Sequence, residues 1–228
     1  MPNANTSAGQ AAQDLRFEEA ARYALLRRLT PALRHHLIGA LQPIGMLAAM
    51  LERRSQAAQP DMPGIQKKSA DMALLAREAT ASCVDLIGWI APKTIESISA
   101  QDGIKECLSV LETDLALRGF AAVNESGGVT SKLSRSAVRN VFSAALLALT
   151  DSVTGVHEVT LTAGTEGDHV VLGLTLKPRE GEAMDIGNHT YRAMEWDDVL
   201  ALARSESVEV EHSALHAKLV CPPAADGT

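Results

Sequence analysis

Two adjacent histidines, His35 and His36, lie in the stretch ALRHHLIGALQPIGMLAAML at residues 32–51, where the other side chains are almost all apolar. An imidazole held on a helix surface titrates near neutrality, so at pH 7 a good fraction of it is a neutral nucleophile. Metal binding is the other chemistry that histidines offer. Ligands on one helix face need a spacing of three or four residues, however, and adjacent residues point about 100° apart. His212 and His216 have that spacing but fall in an expected strand-turn-strand, where it aligns nothing. No metal ligand set is therefore assigned. Cys83, Cys107 and Cys221 are odd in number and widely spaced, with no CxxC pair, which indicates neither a disulfide framework nor a zinc knuckle and fits a reducing compartment. The SGG at 126–128 reads as a turn, and neither a P-loop nor a GxSxG elbow is present. Two surface histidines without a role are the plain alternative to a reactive site.

The elements that must position the pair follow from periodicity. From Ala12 to Arg54 the residues favour helix, and apolar or small residues recur at Leu26, Leu33, Leu37, Ala40, Ile44, Leu47 and Leu51. After Leu33 the steps alternate between four and three, the pattern of a bundle seam. With Leu33 at d and Leu37 at a, His36 flanks the seam at g and His35 takes f, the outermost position. Thr30-Pro31 predicts a kink or a restart of the helix, and Pro43 a second bend. AAQPDMPG at 57–64 reads as a turn, and a second helix from Ile65 to Ile90 keeps heptad spacing through Met72, Ala76, Ala79, Cys83, Leu86 and Ile90. A lone hairpin leaves its seam open on two sides, so it is expected to pair with a second copy as a dimeric four-helix bundle.

After Pro92 the texture changes. PKTIESISAQDG reads as a linker, Ile104 to Arg118 as a helix ended by Gly119, FAAVNE as a short strand, and Ser134 to Asp151 as an Ala/Leu-rich helix. HEVTLTAG and DHVVLGLTLKP alternate about TEG as a hairpin, EWDDVLALARS reads as a short helix, and VEVEH and HAKLVCP as the last strands. The expected class is α+β, a helical hairpin followed by an α/β sandwich with helices on one face of a sheet. The expected segments are a disordered leader at 1–11, the hairpin at 12–92, a linker at 93–103, the sandwich at 104–222 and a tail at 223–228.

Composition narrows the function classes. The chain of 228 residues is 46% apolar but only 3% aromatic, so its core must be built from Leu, Ala, Val and Ile. A net charge of -7 argues against binding nucleic acid through phosphate neutralisation. Arg27, Arg28, Arg34, Arg53 and Arg54 read first as a solvated helix face and helix-end charge. The N-terminus lacks a basic stretch followed by an apolar one, and no run of about 18 apolar residues occurs, so a cytoplasmic location without a membrane span is expected.

RHHLIGALQPI resembles the H-box of the dimerisation and phosphotransfer region of bacterial two-component histidine kinases. That motif is a His, an acidic residue and a Leu, with apolar residues six and nine places after the His. Leu37, Leu41 and Ile44 fall on those places when His35 is the phosphoacceptor, the same residue that the heptad exposes. The element order after residue 100 is similar to the family's ATP-binding domain. The resemblance places Ala144 and Ala148 where ATP-binding members carry two asparagines, leaves Asn140 one turn away, and finds no glycine-rich box in KPREGEAMDIGN. Without oxygen ligands for magnesium and a phosphate cradle, ATP use is not expected. His36 stands where the family has its acid and could still serve as a general base, and Gly39 occupies the place of the Thr or Asn of phosphatase-competent members.

The resemblance therefore implies a homodimeric histidine phosphotransferase that passes a phosphoryl group between response-regulator receiver domains through His35, with His36 handling protons. Arg34, Leu37 and Leu41 would contact the receiver. No cofactor is implied for the chain itself, because the receiver would bring the magnesium. The alternatives are a non-catalytic, pseudokinase-like dimer that binds a response regulator, a divergent sensor kinase, and a plain helical scaffold.

Overall fold

The structure, a computed structural model, describes residues 4–90, 96–181 and 191–224, with residues 4–8 as backbone only. It divides into two compact units, one of Thr30–Ala91 and the other of Met1–Leu29 together with Pro92–Thr228. The class is α+β, as the periodicities predict.

Unit Thr30–Ala91 is a helical hairpin made by the later part of α1 (Ala4–Ser55) and by α2 (Met62–Ile90). Pro31 and Pro43 both lie inside α1, each removing one ladder N–H. The turn closes on Asp61, whose Oδ1 accepts from Gly64 N at 3.1 Å while its carbonyl accepts from Ile65 N at 2.9 Å. This cap starts α2 at Met62, inside the stretch read as turn, because Pro63 fits a first helical turn.

The second unit has a five-stranded sheet in the order β2-β4-β5-β7-β6. Its strands are β2 (Phe120–Glu125), β4 (His157–Glu166), β5 (His169–Pro178), β6 (Glu209–His212) and β7 (His216–Cys221). β2 runs parallel to β4 and every other pair is antiparallel. β1 (Ser97–Ser99) and β3 (Lys132–Ser134) pair separately. One face of the large sheet is buried through Val159, Leu161, Leu172, Leu174, Leu176, Ala217 and Leu219. The helical layer supplies α3 (Ala100–Leu117), α4 (Arg135–Ala137), a π-helical turn (Val138–Phe142), α5 (Ser143–Asp151) and α6 (Trp196–Ser205). The β4–β5 register places the hairpin turn at Gly167-Asp168 rather than TEG, and Gly167 takes a φ of 59°, which a side chain would disfavour.

Three expectations change. α1 begins at Ala4, so residues 4–11 of the expected leader are helical. The next part of α1 joins the sandwich unit, burying Ala21, Ala24, Leu25 and Leu29 at 0–1% exposure, which moves the division from Ala12 to Thr30. The linker at 93–103 holds β1 and the start of α3. Ser99 caps that helix by accepting from Asp102 N at 3.1 Å, and Gly103 lies inside it because a Cβ there would stand 3.0 Å from Val138 Cγ1. Residues 93–95, most of KPREGEAMDIGN and the tail beyond Ala224 lie outside the described residues.

Candidate functional site

On α1 the positions Leu33, Leu37, Ala40, Ile44, Leu47 and Leu51 are all half-buried, as the seam requires, whereas Arg34, His35 and His36 are exposed. His35 therefore stands on the hairpin's outer surface. Arg34 and His36 flank it in sequence at about 100° to either side. Leu41 is 47% exposed and Leu37 half-buried, so both are accessible to a partner to different degrees. On α2 the seam holds at Ile65, Met72, Ala79, Cys83 and Leu86, while Ala76 and Ile90 are exposed.

The helix after Ser134 carries the second group of sequence candidates. Ala144 and Ala148 are 0% and 2% exposed and offer no oxygen. Asn140 donates Nδ2 to Glu206 Oε1 at 2.9 Å, and Ser136 Oγ donates to Oε2 of the same carboxylate at 2.6 Å. Arg139 pairs with Glu106, which Arg135 also reaches at 3.1 Å. Ser136, Arg139 and Asn140 are thus tied to α3 and to the end of α6. Cys107 donates to Val138 O at 3.6 Å, and burial pushes its thiol up to about 12. Burial, aided by Glu206, likewise pushes Cys221 up to about 12.

His212 stacks on Trp196 with ring centroids 4.0 Å apart, while His216 opens β7. Among the described residues no group of three or more His, Cys, Asp or Glu is placed to hold a metal ion. No described helix is long and apolar enough to cross a membrane.

The basic cluster divides. Arg53 and Arg54 are exposed in the last turn of α1, but the Arg28 side chain is only 4% exposed and pairs with Asp151. Sequence reading as a solvated face misses this pair. Its signal is the spacing Ala21-Ala24-Arg28, which puts Arg28 on the stripe that the small residues bury.

No protein family's sequence pattern and no curated protein matches the chain. The solved structures that match include histidine kinases and a phosphotransferase. The histidine kinase AdeS of Acinetobacter baumannii matches at 9% identity and a TM-score of 0.43, over 79% of this chain and 96% of that one. A histidine kinase from Burkholderia phymatum matches at 11% identity and a TM-score of 0.42, over 83% of this chain and 98% of its own. A bacterial phosphotransferase matches at 12% identity and a TM-score of 0.39, over 86% and 95%. At these identities no residue's role passes from one chain to the other.

Proposed function

We propose that this protein is a two-component signalling phosphotransferase, a homodimer that relays a phosphoryl group between response-regulator receiver domains through His35. The observation that carries the reading is the exposure of His35 on the outer surface of a hairpin whose seam is half-buried in the expected register. The buried Ala144 and Ala148, and the internal bonding of Asn140, favour a relay over a nucleotide-using kinase.

In this reading an unprotonated ring nitrogen of His35 attacks the phosphorus of a receiver's aspartyl phosphate. The P–O bond to the aspartate breaks, and the carboxylate leaves with the bonding pair. The other ring nitrogen can then release its proton to His36 or to water. In the second half the ring nitrogen that gave up its proton takes one back from His36 or water, a carboxylate of another receiver attacks the same phosphorus, and the P–N bond breaks with its electron pair returning to a neutral imidazole. The chain holds no cofactor of its own in this scheme, and the receiver supplies magnesium to neutralise the phosphoryl oxygens. Arg34, Leu37 and Leu41 form the receiver contact.

Dimerisation is supported by apolar surface that a single hairpin leaves open. On α2, Ala73, Ala76, Thr80, Val84 and Ile87 follow steps of three and four and are all exposed, Val84 by 64% and Ile87 by 59%. Such a stripe fits a second copy completing a four-helix bundle.

A second reading, a dimer that binds a response regulator without taking phosphate, is favoured by His36 standing where the resembling family has an acid. Incubation with receivers charged by acetyl phosphate separates the two. An acid-labile phosphate on the protein is expected, lost in His35→Ala, and slowed by about 100-fold in His36→Ala, the lower range of general-base contributions. Retention of the label in His35→Ala overturns the assignment, and no label on the wild-type chain favours the binding-only dimer. Micromolar binding of a fluorescent ATP analogue points instead to a divergent kinase.

A further inference from the structure

The five-stranded sheet ends in two edge strands, β2 and β6, and they are built differently. β6 has four residues, of which Glu209 and Glu211 are charged and exposed. A short edge that carries charge resists pairing with another strand. β2 has six residues in an unbroken register with β4, contains no proline, and carries no charge before Glu125. It is the unguarded edge of the sheet.

The register fixes which backbone groups are left over. His157 N donates to Gly119 O at 3.2 Å, and in a parallel ladder alternate residues face the neighbouring strand. Gly119, Ala121, Val123 and Glu125 therefore bond to β4, while Phe120, Ala122 and Asn124 point their N–H and C=O groups away from it. Among the described residues no strand lies on that side of β2. Ala121, Ala122 and Val123 are half-buried, so the middle of the edge is small, apolar and partly open to solvent.

The strand is its own complement. Laid antiparallel about a two-fold axis at Ala122, β2 pairs Ala122 with the partner's Ala122 and Phe120 with the partner's Asn124. All of these are outward residues, so each pair exchanges two hydrogen bonds and every leftover group is used. On the face away from the helices Ala121 meets the partner's Val123, a match of small apolar side chains. Glu125, the one charge in the strand, falls opposite the partner's Gly119, which has no side chain to oppose it. In-register parallel pairing would instead set Glu125 against the partner's Glu125.

We propose that β2 is a self-association edge, to which a second copy of this chain adds its own β2, joining two five-stranded sheets across a two-fold axis. The contact uses none of the residues of the α2 stripe and is independent of the phosphotransfer reading. It is small, so the association is weak and belongs to concentrated solution.

Hydrogen exchange on the full chain, followed residue by residue by NMR in dilute and in concentrated solution, tests it. The other edge supplies the control. Ser213 N donates to His216 O at 2.8 Å, and with the β6–β7 register this turns the Val210 and His212 amides outward on the guarded edge. The Ala122 and Asn124 amides are expected to exchange several-fold more slowly in concentrated solution, and the Val210 and His212 amides equally fast in both. Equal rates for Ala122 and Asn124 at the two concentrations overturn the proposal, including the case in which the edge awaits a strand from another protein. Equal slowing on both edges overturns it as well.

Ala122→Pro removes an outward N–H without touching the ladder to β4, the setting in which an edge strand tolerates proline. Each copy loses one bond, and the dissociation constant of the contact, read by sedimentation equilibrium, is expected to rise roughly 10- to 100-fold. The melting temperature is expected to stay within about 4 °C of wild type. Should the proline unfold the strand, Ala121→Lys serves instead: its charge can pair with Glu158, opposite it on β4, and it sets like charges on both sides of the axis. An unchanged dissociation constant in a folded variant overturns the proposal.

Discussion

At Val138–Phe142 the helix widens into a π turn, and the adjacent Arg139 and Asn140 both turn inward, one to Glu106 on α3 and the other to Glu206 after α6. The widening has a local cost. Ser143 begins α5 with its hydroxyl wholly buried and without a hydrogen-bond partner among the described residues. The nearby Cys107 thiol donates to Val138 O at 3.6 Å. Removing an unsatisfied buried hydroxyl should stabilise. Ser143→Ala is expected to raise unfolding free energy by about 1 kcal/mol, read as a higher urea midpoint at unchanged slope. A lower midpoint would mean that the hydroxyl is satisfied. At this scale the exposure of His35 was legible, because it follows from periodicity, whereas Ala144 and Ala148 stood out only through the family resemblance. The Arg28–Asp151 pair was not, because an aspartate at a helix end and an arginine among arginines read as surface charge until the fold brings them together.

The hairpin shows why element periodicity was the more readable signal. Its α1 seam is half-buried at each expected position, since the steps of three and four follow from helix geometry alone. Element ends were less readable. Gly103 and the serines before it suggested a linker, yet Ser99 caps α3 and Gly103 admits Val138 against the backbone. Neither use is visible without the helix packed opposite. The exposed stripe of α2 gives the test belonging to this scale. Val84→Glu together with Ile87→Glu places like charges on the proposed dimer face, and sedimentation is expected to show a monomer with unchanged helical circular dichroism. A dimer that persists would move the interface elsewhere.

For the whole molecule, the main departure from sequence reading is that the sandwich unit is discontinuous, with the hairpin spliced into it after Leu29. Sequence proximity made Ala12 to Arg54 look like one element of one domain, which it is only as a helix. Ala21, Ala24, Leu25 and Leu29 are core residues of the unit that resumes at Pro92. A chain beginning at Thr30 would lose these four side chains and leave Asp151 without Arg28. It is expected to keep a helical hairpin while its sandwich loses the cooperative thermal transition, measured by calorimetry. A sharp transition in that shortened chain would show the first helix to be an accessory.

The splice also sets an order for synthesis. The stripe around Ala24 and Leu25 leaves the ribosome first, but Asp151 and the strands β4 to β7 are made much later. At ~5–20 residues per second, roughly 10–40 s separate Leu29 from Cys221. During that interval the first helix has no sandwich to bury against, and an apolar helix in that state is a target for chaperones and for other nascent chains. Two of its four core side chains, Ala21 and Ala24, add little to the apolar area left waiting, and Leu25 and Leu29 make up most of it.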